Sequence, residues 1–248
     1  MTKGGIRKRN LFDPNSPEPF ALSRSKIELF LQCARCFALD RRYGIGRPSG
    51  PPFTLNIAVD ALLKKEFDTY RKRSQPHPLM RAYGIAGVPF DHPDLTRWRE
   101  NFKGVRYVHP EAKLEITGAV DDVWISEDQK LLIVDYKATS TENKISLDDE
   151  WRSSYKRQME IYQWLFRKNG FHVSDTGYFV YVNATKDREA FDARLDCTVE
   201  ILPYAGSDAW IEDCIREIHL CLMSESLPPS HPDCEWCAYR NAARASEK

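Results

Sequence analysis

The chain has 248 residues, enough for one sizeable α/β domain or two small ones. Apolar residues make up 42% and charged residues 29%, which excludes a disordered chain, and no apolar run approaches the ~18 residues of a membrane span. Lysine plus arginine equals aspartate plus glutamate at 36 each, so net charge gives no argument for an anionic partner.

Residues 1–20 carry Lys3, Arg7, Lys8 and Arg9, then Pro14, Pro17 and Pro19. That is the composition of a flexible arm ahead of one folded domain over 21–248. The N-terminus lacks a signal-peptide core, so the expected compartment is cytoplasmic. A helix is predicted from Ser23 or Ser25, either able to cap it, to about Tyr43. Gly44, Gly46, Pro48, Gly50, Pro51 and Pro52 make the next stretch a loop. A second helix fits 56–71, with Val59, Leu62, Leu63, Phe67 and Tyr70 at helical spacing. On its wheel Asp60 lies between Ile57 and Phe67, a poor place for a lone carboxylate, and so calls for a metal or a basic partner.

Residues 74–110 are rich in proline and histidine and read as irregular, with a short helix around 94–102. There Arg97, Trp98, Arg99, Phe102 and Arg106 make either a stacking and phosphate-contacting surface or a helix packed by Trp98. Residues 114–125 and 130–136 are β-branched and apolar, joined by the polar 126–129, which signals a hairpin. A helix follows at about 150–168, stopped by Asn169-Gly170. Two more strands fit 177–183 and 194–202. A last helix begins near Ser207 and carries Ile211, Cys214, Ile215, Ile218 and Leu222 on one face. The order α-α-β-β-α-β-β-α indicates an α/β domain with a central mixed sheet flanked by helices. Two runs of basic residues, Arg24 to Arg47 and Arg152 to Lys168, read equally well as solvated helix faces or as a nucleic-acid surface.

Asp135-Tyr136-Lys137 closes an apolar strand. A D/E-x-K triplet alone carries little information, and Glu111-Ala112-Lys113 and Glu142-Asn143-Lys144 also match it. Context separates them. If the hairpin turns about Asp128, Asp121 lies opposite Asp135 with Cβ atoms ~5 Å apart, and Lys137 projects from the face of Asp135. A register change of one residue would put Asp122 in place of Asp121. Two carboxylates that close call for a cation, and oxygen ligands suit Mg²⁺ or Mn²⁺. A metal so held polarises a phosphoryl oxygen and acidifies a bound water, while the Lys137 ammonium orients that water or offsets developing charge. Phosphodiester hydrolysis is the reaction class that follows.

Seven cysteines in a chain of intracellular character argue against a disulfide framework. Cys33 and Cys36 form one C-x-x-C, and Cys234 and Cys237 another. Brought together they make a four-thiolate site for zinc or an iron–sulfur cluster, and spacing does not separate the two. His231 is a candidate substitute ligand. Cys197, Cys214 and Cys221 read as small core residues.

Gly118-x-x-Asp121, Asp135-Tyr136-Lys137 and Gln158-x-x-x-Tyr162, with Ser23-x-Ser25 and Phe30-x-x-Cys33 near the start, resemble the RecB-like branch of the PD-(D/E)XK nuclease superfamily. That branch includes the CRISPR-associated RecB-like exonucleases and the AddB nuclease domain. The resemblance covers about residues 22–240 and implies a restriction-endonuclease-like core. It implies metal binding by Asp121, Asp135 and the carbonyl of Tyr136, catalysis by Lys137, and contact with nucleic acid or the site by Gln158 and Tyr162. The family usually has a metal-binding histidine, preceded by a glycine, on the helix matching 56–70. Here Asp60 stands at that position and Asn56 where the glycine belongs, so Asp60 is expected as a replacement ligand. The resemblance also favours a [4Fe–4S] cluster on Cys33, Cys36, Cys234 and Cys237. The family takes one cysteine from the N-terminal side and three from the C-terminal; near 241–243 none occurs, and Cys36 would serve instead.

The expected function is a metal-dependent DNA nuclease, an exonuclease acting on single strands or ends, in repair, recombination or defence. The alternatives are a nucleic-acid-binding module without catalysis and a metal-stapled subunit of a repair or helicase complex. No Walker-type phosphate loop occurs, so any ATPase is a separate partner.

Overall fold

In the computed structural model, which describes residues 6–48, 50, 54–149 and 152–247, the long first helix of the sequence is two helices. The chain opens with β1 (Phe20–Ser23), α1 (Arg24–Gln32), α2 (Ala34–Tyr43), α3 (Thr54–Arg71) and α4 (Pro78–Ala82). It continues through β2 (Gly87–Pro89), α5 (Leu95–Arg99), β3 (Val105–His109), β4 (Leu114–Gly118), β5 (Asp122–Ser126) and β6 (Leu131–Thr139). The last elements are α6 (Ser153–Lys168), β7 (Thr176–Ala184), β8 (Cys197–Ala205), α7 (Ile211–Met223) and α8 (Glu235–Ser246). Two compact units form: residues 1–51, 107–117 and 209–248 in the first, 52–106 and 118–208 in the second. No helix among the described residues is long and apolar enough to cross a membrane.

In the first unit β1 runs parallel to β4, Phe20 opposite Leu114 and Ser23 opposite Thr117. Cys33 breaks the helix predicted over 23–43, its φ of −168° and ψ of 105° being extended backbone between α1 and α2. No glycine or proline marks this break. Gly44, at φ 72°, ends α2; a Cβ there would lie 2.0 Å from the Arg7 carbonyl oxygen. Residues 6–19, expected as a loose arm, follow α2. The Arg7 amide donates to Gly44 (3.0 Å), the Phe12 amide to Arg41 (2.8 Å), and the Arg7 guanidinium meets Asp40. Helix α8 was not foreseen, since Glu235–Ser246 buries Cys237 and has no broad apolar stripe.

The second unit is built on a five-stranded mixed sheet in the order β2-β5-β6-β7-β8, parallel between β6 and β7 and antiparallel elsewhere. The hairpin has the predicted register, with Asp122 opposite Val134 and Val123 opposite Ile133. The strand predicted over 114–125 is divided: β4 and β5 belong to different sheets. The division follows Gly118, where a Cβ would fall 2.7 Å from the Tyr162 ring. Strand β2, absent from the sequence reading, pairs with β5 along the sheet edge.

Alternation along β6 sorts its two faces. Leu132, Val134 and Tyr136 join Leu63 and Phe67 of α3, with Trp124, Val180 and Ile201, in one buried cluster. Asp135 and Lys137 point the other way, toward α6. A Phe67 side chain buried this fully contributes ~3–5 kcal/mol against truncation to alanine.

Candidate functional site

At the end of the buried run of β6, Asp135 is sealed from solvent and ion-paired with Lys137 two residues on. From α6, Gln158 donates from Nε2 to Asp135 Oδ1 (2.6 Å) and to the Tyr162 hydroxyl (3.1 Å), and its Oε1 accepts from Lys137 Nζ (3.3 Å). The i, i+4 spacing that places Gln158 and Tyr162 on one helix face thus makes them one hydrogen-bonded unit behind the acid and the amine. Lys137 Nζ also stands 4.4 Å from the centroid of the Tyr155 ring.

Asp121 precedes β5, and its Oδ2 accepts the Tyr136 main-chain N–H (2.8 Å). Burial and the charge of Asp135 raise its carboxyl to about 6. Lys137 is held above the ordinary lysine range: burial opposes its charge, but Asp135 and Asp121 outweigh that.

Asp60 and Lys64, one turn apart on α3, complete the cluster. Lys64 Nζ lies 2.8 Å from Asp60 and 3.5 Å from Asp121 Oδ1. Asp60 is raised by burial and by the facing Asp121 despite the Lys64 ammonium. The apolar neighbourhood expected for Asp60 is only half present, since Ile57 is 62% exposed while Phe67 is buried. Its basic partner is Lys64, which the sequence reading passed over although i, i+4 spacing from Asp60 signalled it.

Asp122, the alternative partner in a slipped register, faces the opposite side of the sheet. It is fully buried against Arg71 Nη2 (2.5 Å), Arg99 Nη2 (2.7 Å), the Tyr136 hydroxyl (2.8 Å) and Trp124 Nε1 (3.3 Å). Asp68 binds the same two arginines, at 3.0 and 2.9 Å. This is a closed ion-pair network, unsuited to holding a metal.

Of the stacking surface considered for residues 97–106, Trp98 and Arg99 are packed away. Trp98 is 3% exposed, stacked on His92 and edged by Phe166 and Phe171, while Arg99 is held in the Asp122 network; Arg97, Phe102 and Arg106 are exposed, Phe102 at 96%. Many residues of the basic runs are likewise engaged. Lys26 and Arg41 bind Asp40, Arg35 reaches the Pro228 carbonyl, and Arg167 spans Asp175 and Asp208.

In the first unit the two C-x-x-C pairs meet. Sγ separations are 3.8 Å for Cys33–Cys237, 3.6 Å for Cys36–Cys234 and 3.7 Å for Cys36–Cys237, and all four are buried. This group can hold a metal ion. Burial works against a Cys33 thiolate, but main-chain hydrogen bonds from His231 and Cys36 outweigh it and bring the thiol down to about 6. Burial pushes Cys237 up to about 12. His231 lends its backbone to this centre, while its ring accepts from the Asp233 amide and faces the Asp233 carboxylate, so it is no substitute ligand. Of the remaining cysteines, Cys214 is core and Cys221 half-buried, while Cys197 is exposed, against expectation, on the outer strand β8.

A family model described as the PD-(D/E)XK nuclease superfamily matches residues 21–242. Among solved structures the chain is similar to the one described as "Crystal structure of SSO0001", at 12% identity and a TM-score of 0.39, over 95% of this chain and 88% of that one. That likeness is too loose to carry a functional comparison. No curated protein matches the chain.

Proposed function

Since the chain belongs to the PD-(D/E)XK nuclease superfamily, we propose that it is a metal-dependent DNA nuclease of the RecB-like branch, an exonuclease acting on single strands or ends. The observation that carries this reading is the convergence of Asp121, Asp135 and Lys137 in the register that sets Asp122 opposite Val134.

The donor set fits a hard divalent ion. Carboxylate oxygens of Asp121 and Asp135 lie close enough to raise Asp121, and two lysine ammoniums already sit against the acidic cluster. Asp121, Asp135 and the Tyr136 carbonyl would hold Mg²⁺ or Mn²⁺, with Asp60 as a further oxygen ligand in place of the family histidine. When bound, such an ion supplies Lewis-acid stabilisation of the phosphate and a more acidic water.

The chain's own groups do the rest. Lys137, kept cationic by Asp135, offsets negative charge developing on the scissile phosphate. Gln158 positions both: one amide hydrogen fixes Asp135, and its oxygen aims the Lys137 ammonium. Tyr162 anchors Gln158 from one turn further along α6. Tyr136 contributes its amide to Asp121 and its ring to the buried face, coupling hairpin packing to the position of the acid.

The family match runs through both compact units, which supports reading 21–248 as one nuclease domain with 1–20 appended. Free thiols suit a reducing cytoplasm, and a helicase or repair complex is the partner that suits a nuclease of this branch, since residues 1–248 carry no Walker-type phosphate loop. The test is labelled single- and double-stranded DNA incubated with Mg²⁺ or Mn²⁺ and with wild type or Lys137→Ala. Wild type is expected to cut, losing ~10²-fold or more in the variant. Equal cutting by both refutes the assignment, and binding without cutting by wild type selects the binding-module alternative.

A further inference from the structure

We infer that Cys33, Cys36, Cys234 and Cys237 hold one tetrahedral zinc ion and not the [4Fe–4S] cluster that the family resemblance suggests. The dimensions of the site carry this. Zinc–thiolate bonds of ~2.3 Å put the corners of a tetrahedron ~3.8 Å apart. Three of the six Sγ separations are 3.6, 3.7 and 3.8 Å, and all four sulfurs lie within 4.8 Å of one another.

A [4Fe–4S] cluster puts each cysteine on a different iron, so the protein sulfurs stand outside an eight-atom core. Four sulfurs all within 4.8 Å of one another enclose room for one ion and leave none for that core. Disulfides do not fit either. A bonded pair requires ~2.05 Å, and Cys36 is equally near Cys234 and Cys237, which is the pattern of a shared centre.

The backbone is built for the same end on both sides. Cys33 caps α2 and Cys36 lies in its first turn; Cys234 caps α8 and Cys237 lies in its first turn. Each C-x-x-C therefore presents two sulfurs beside a helix N-terminus, the end that favours negative charge. Arg47 Nη2 donates to Cys234 Sγ at 3.5 Å. Four thiolates around a divalent ion leave two negative charges, and the guanidinium offsets part of that excess. The extended backbone at Cys33 has its explanation here: a continuous helix would not carry this sulfur to the α8 pair.

This inference stands apart from the acidic site, and its test reads metal content rather than cleavage. The full chain is expressed with iron and zinc both supplied and purified without oxygen, then assayed for metals and acid-labile sulfide. The expected result is one zinc per chain, colourless protein, and, after exchange with cobalt, the intense visible bands of a tetrahedral cobalt thiolate. Asp121→Asn with Asp135→Asn is expected to keep that zinc, and Cys237→Ser to lose most of it. Brown protein with about four irons and four sulfides per chain overturns the inference, and so does metal-free protein whose cysteines resist thiol reagents until reduced.

Discussion

Asp121 and Asp122 are neighbours in sequence with opposite work, and that contrast gives the sharpest residue-level expectations. The folded Asp121 carboxyl sits at about 6, above its ordinary value, because burial and Asp135 disfavour its charge. Between roughly pH 4 and 6 the metal-free folded chain therefore holds more protons here than the unfolded chain, and stability from this group falls as pH rises through that window. Asp121→Asn is expected to raise the melting temperature of metal-free protein by a few degrees at pH 7 and to change little at pH 4. Equal effects at both pH values would count against the shift. Divalent-ion affinity of wild type should weaken below pH 6, as protons compete for the same oxygen. Lys64 competes too, standing 2.8 Å from Asp60 and 3.5 Å from Asp121. Calorimetry of Lys64→Ala should show Mn²⁺ bound several-fold more tightly; weaker binding would mean that Lys64 supports the ion. The sequence placed Asp60, Asp121, Asp135, Lys137, Gln158 and Tyr162 in one cluster but left out Lys64. A lysine on a helix reads as solvent-facing until the strand beside it is known.

At the scale of elements, the hairpin was legible because a period of two and one polar turn fix its register, and its pairs fall as the sequence required. The turn position alone decided which acid stands beside Asp135. Asp122 was then consigned to a network with Arg71, Arg99, Trp124 and Tyr136 that joins α3, α5 and the sheet. Asp122→Ala leaves Arg71 and Arg99 with Asp68 as their one shared carboxylate, an excess positive charge that should cost ~3–5 kcal/mol, a fall of ~10 °C in melting temperature. A thermal melt within a degree or two of wild type would show that the network adds nothing. The short strands β1, β2 and β3 escaped detection since three to five residues are too few to establish alternation. The split between β4 and β5 escaped because Gly118 is demanded by a ring from α6, a contact no local pattern encodes.

For the whole molecule, the two landmarks, the paired C-x-x-C motifs, lie far apart in number, and their meeting was inferable only from chemistry. Nothing in residues 33–36 or 234–237 specifies the partner, but four buried cysteines gathered at one point can hold a metal ion, and such binding adds to folding free energy. Strong chelation of the bound metal should therefore lower the melting temperature markedly, with recovery on adding zinc; an unchanged melt would show that the centre does not contribute to folding. The fold class followed from element order, whereas α8 and the break at Cys33 carry the four-cysteine group and have no signature of their own.

On the proposed function, Asp121, Asp135 and Lys137 form one ion-holding, phosphate-cleaving cluster. Titrating Mn²⁺ calorimetrically into wild type, Asp121→Asn, Asp135→Asn and Lys137→Ala tests it most directly. Wild type and Lys137→Ala are expected to bind comparably, while each aspartate variant loses tenfold or more in affinity, ~1.4 kcal/mol, with its fold intact. Unchanged affinity in both aspartate variants would contradict the claim.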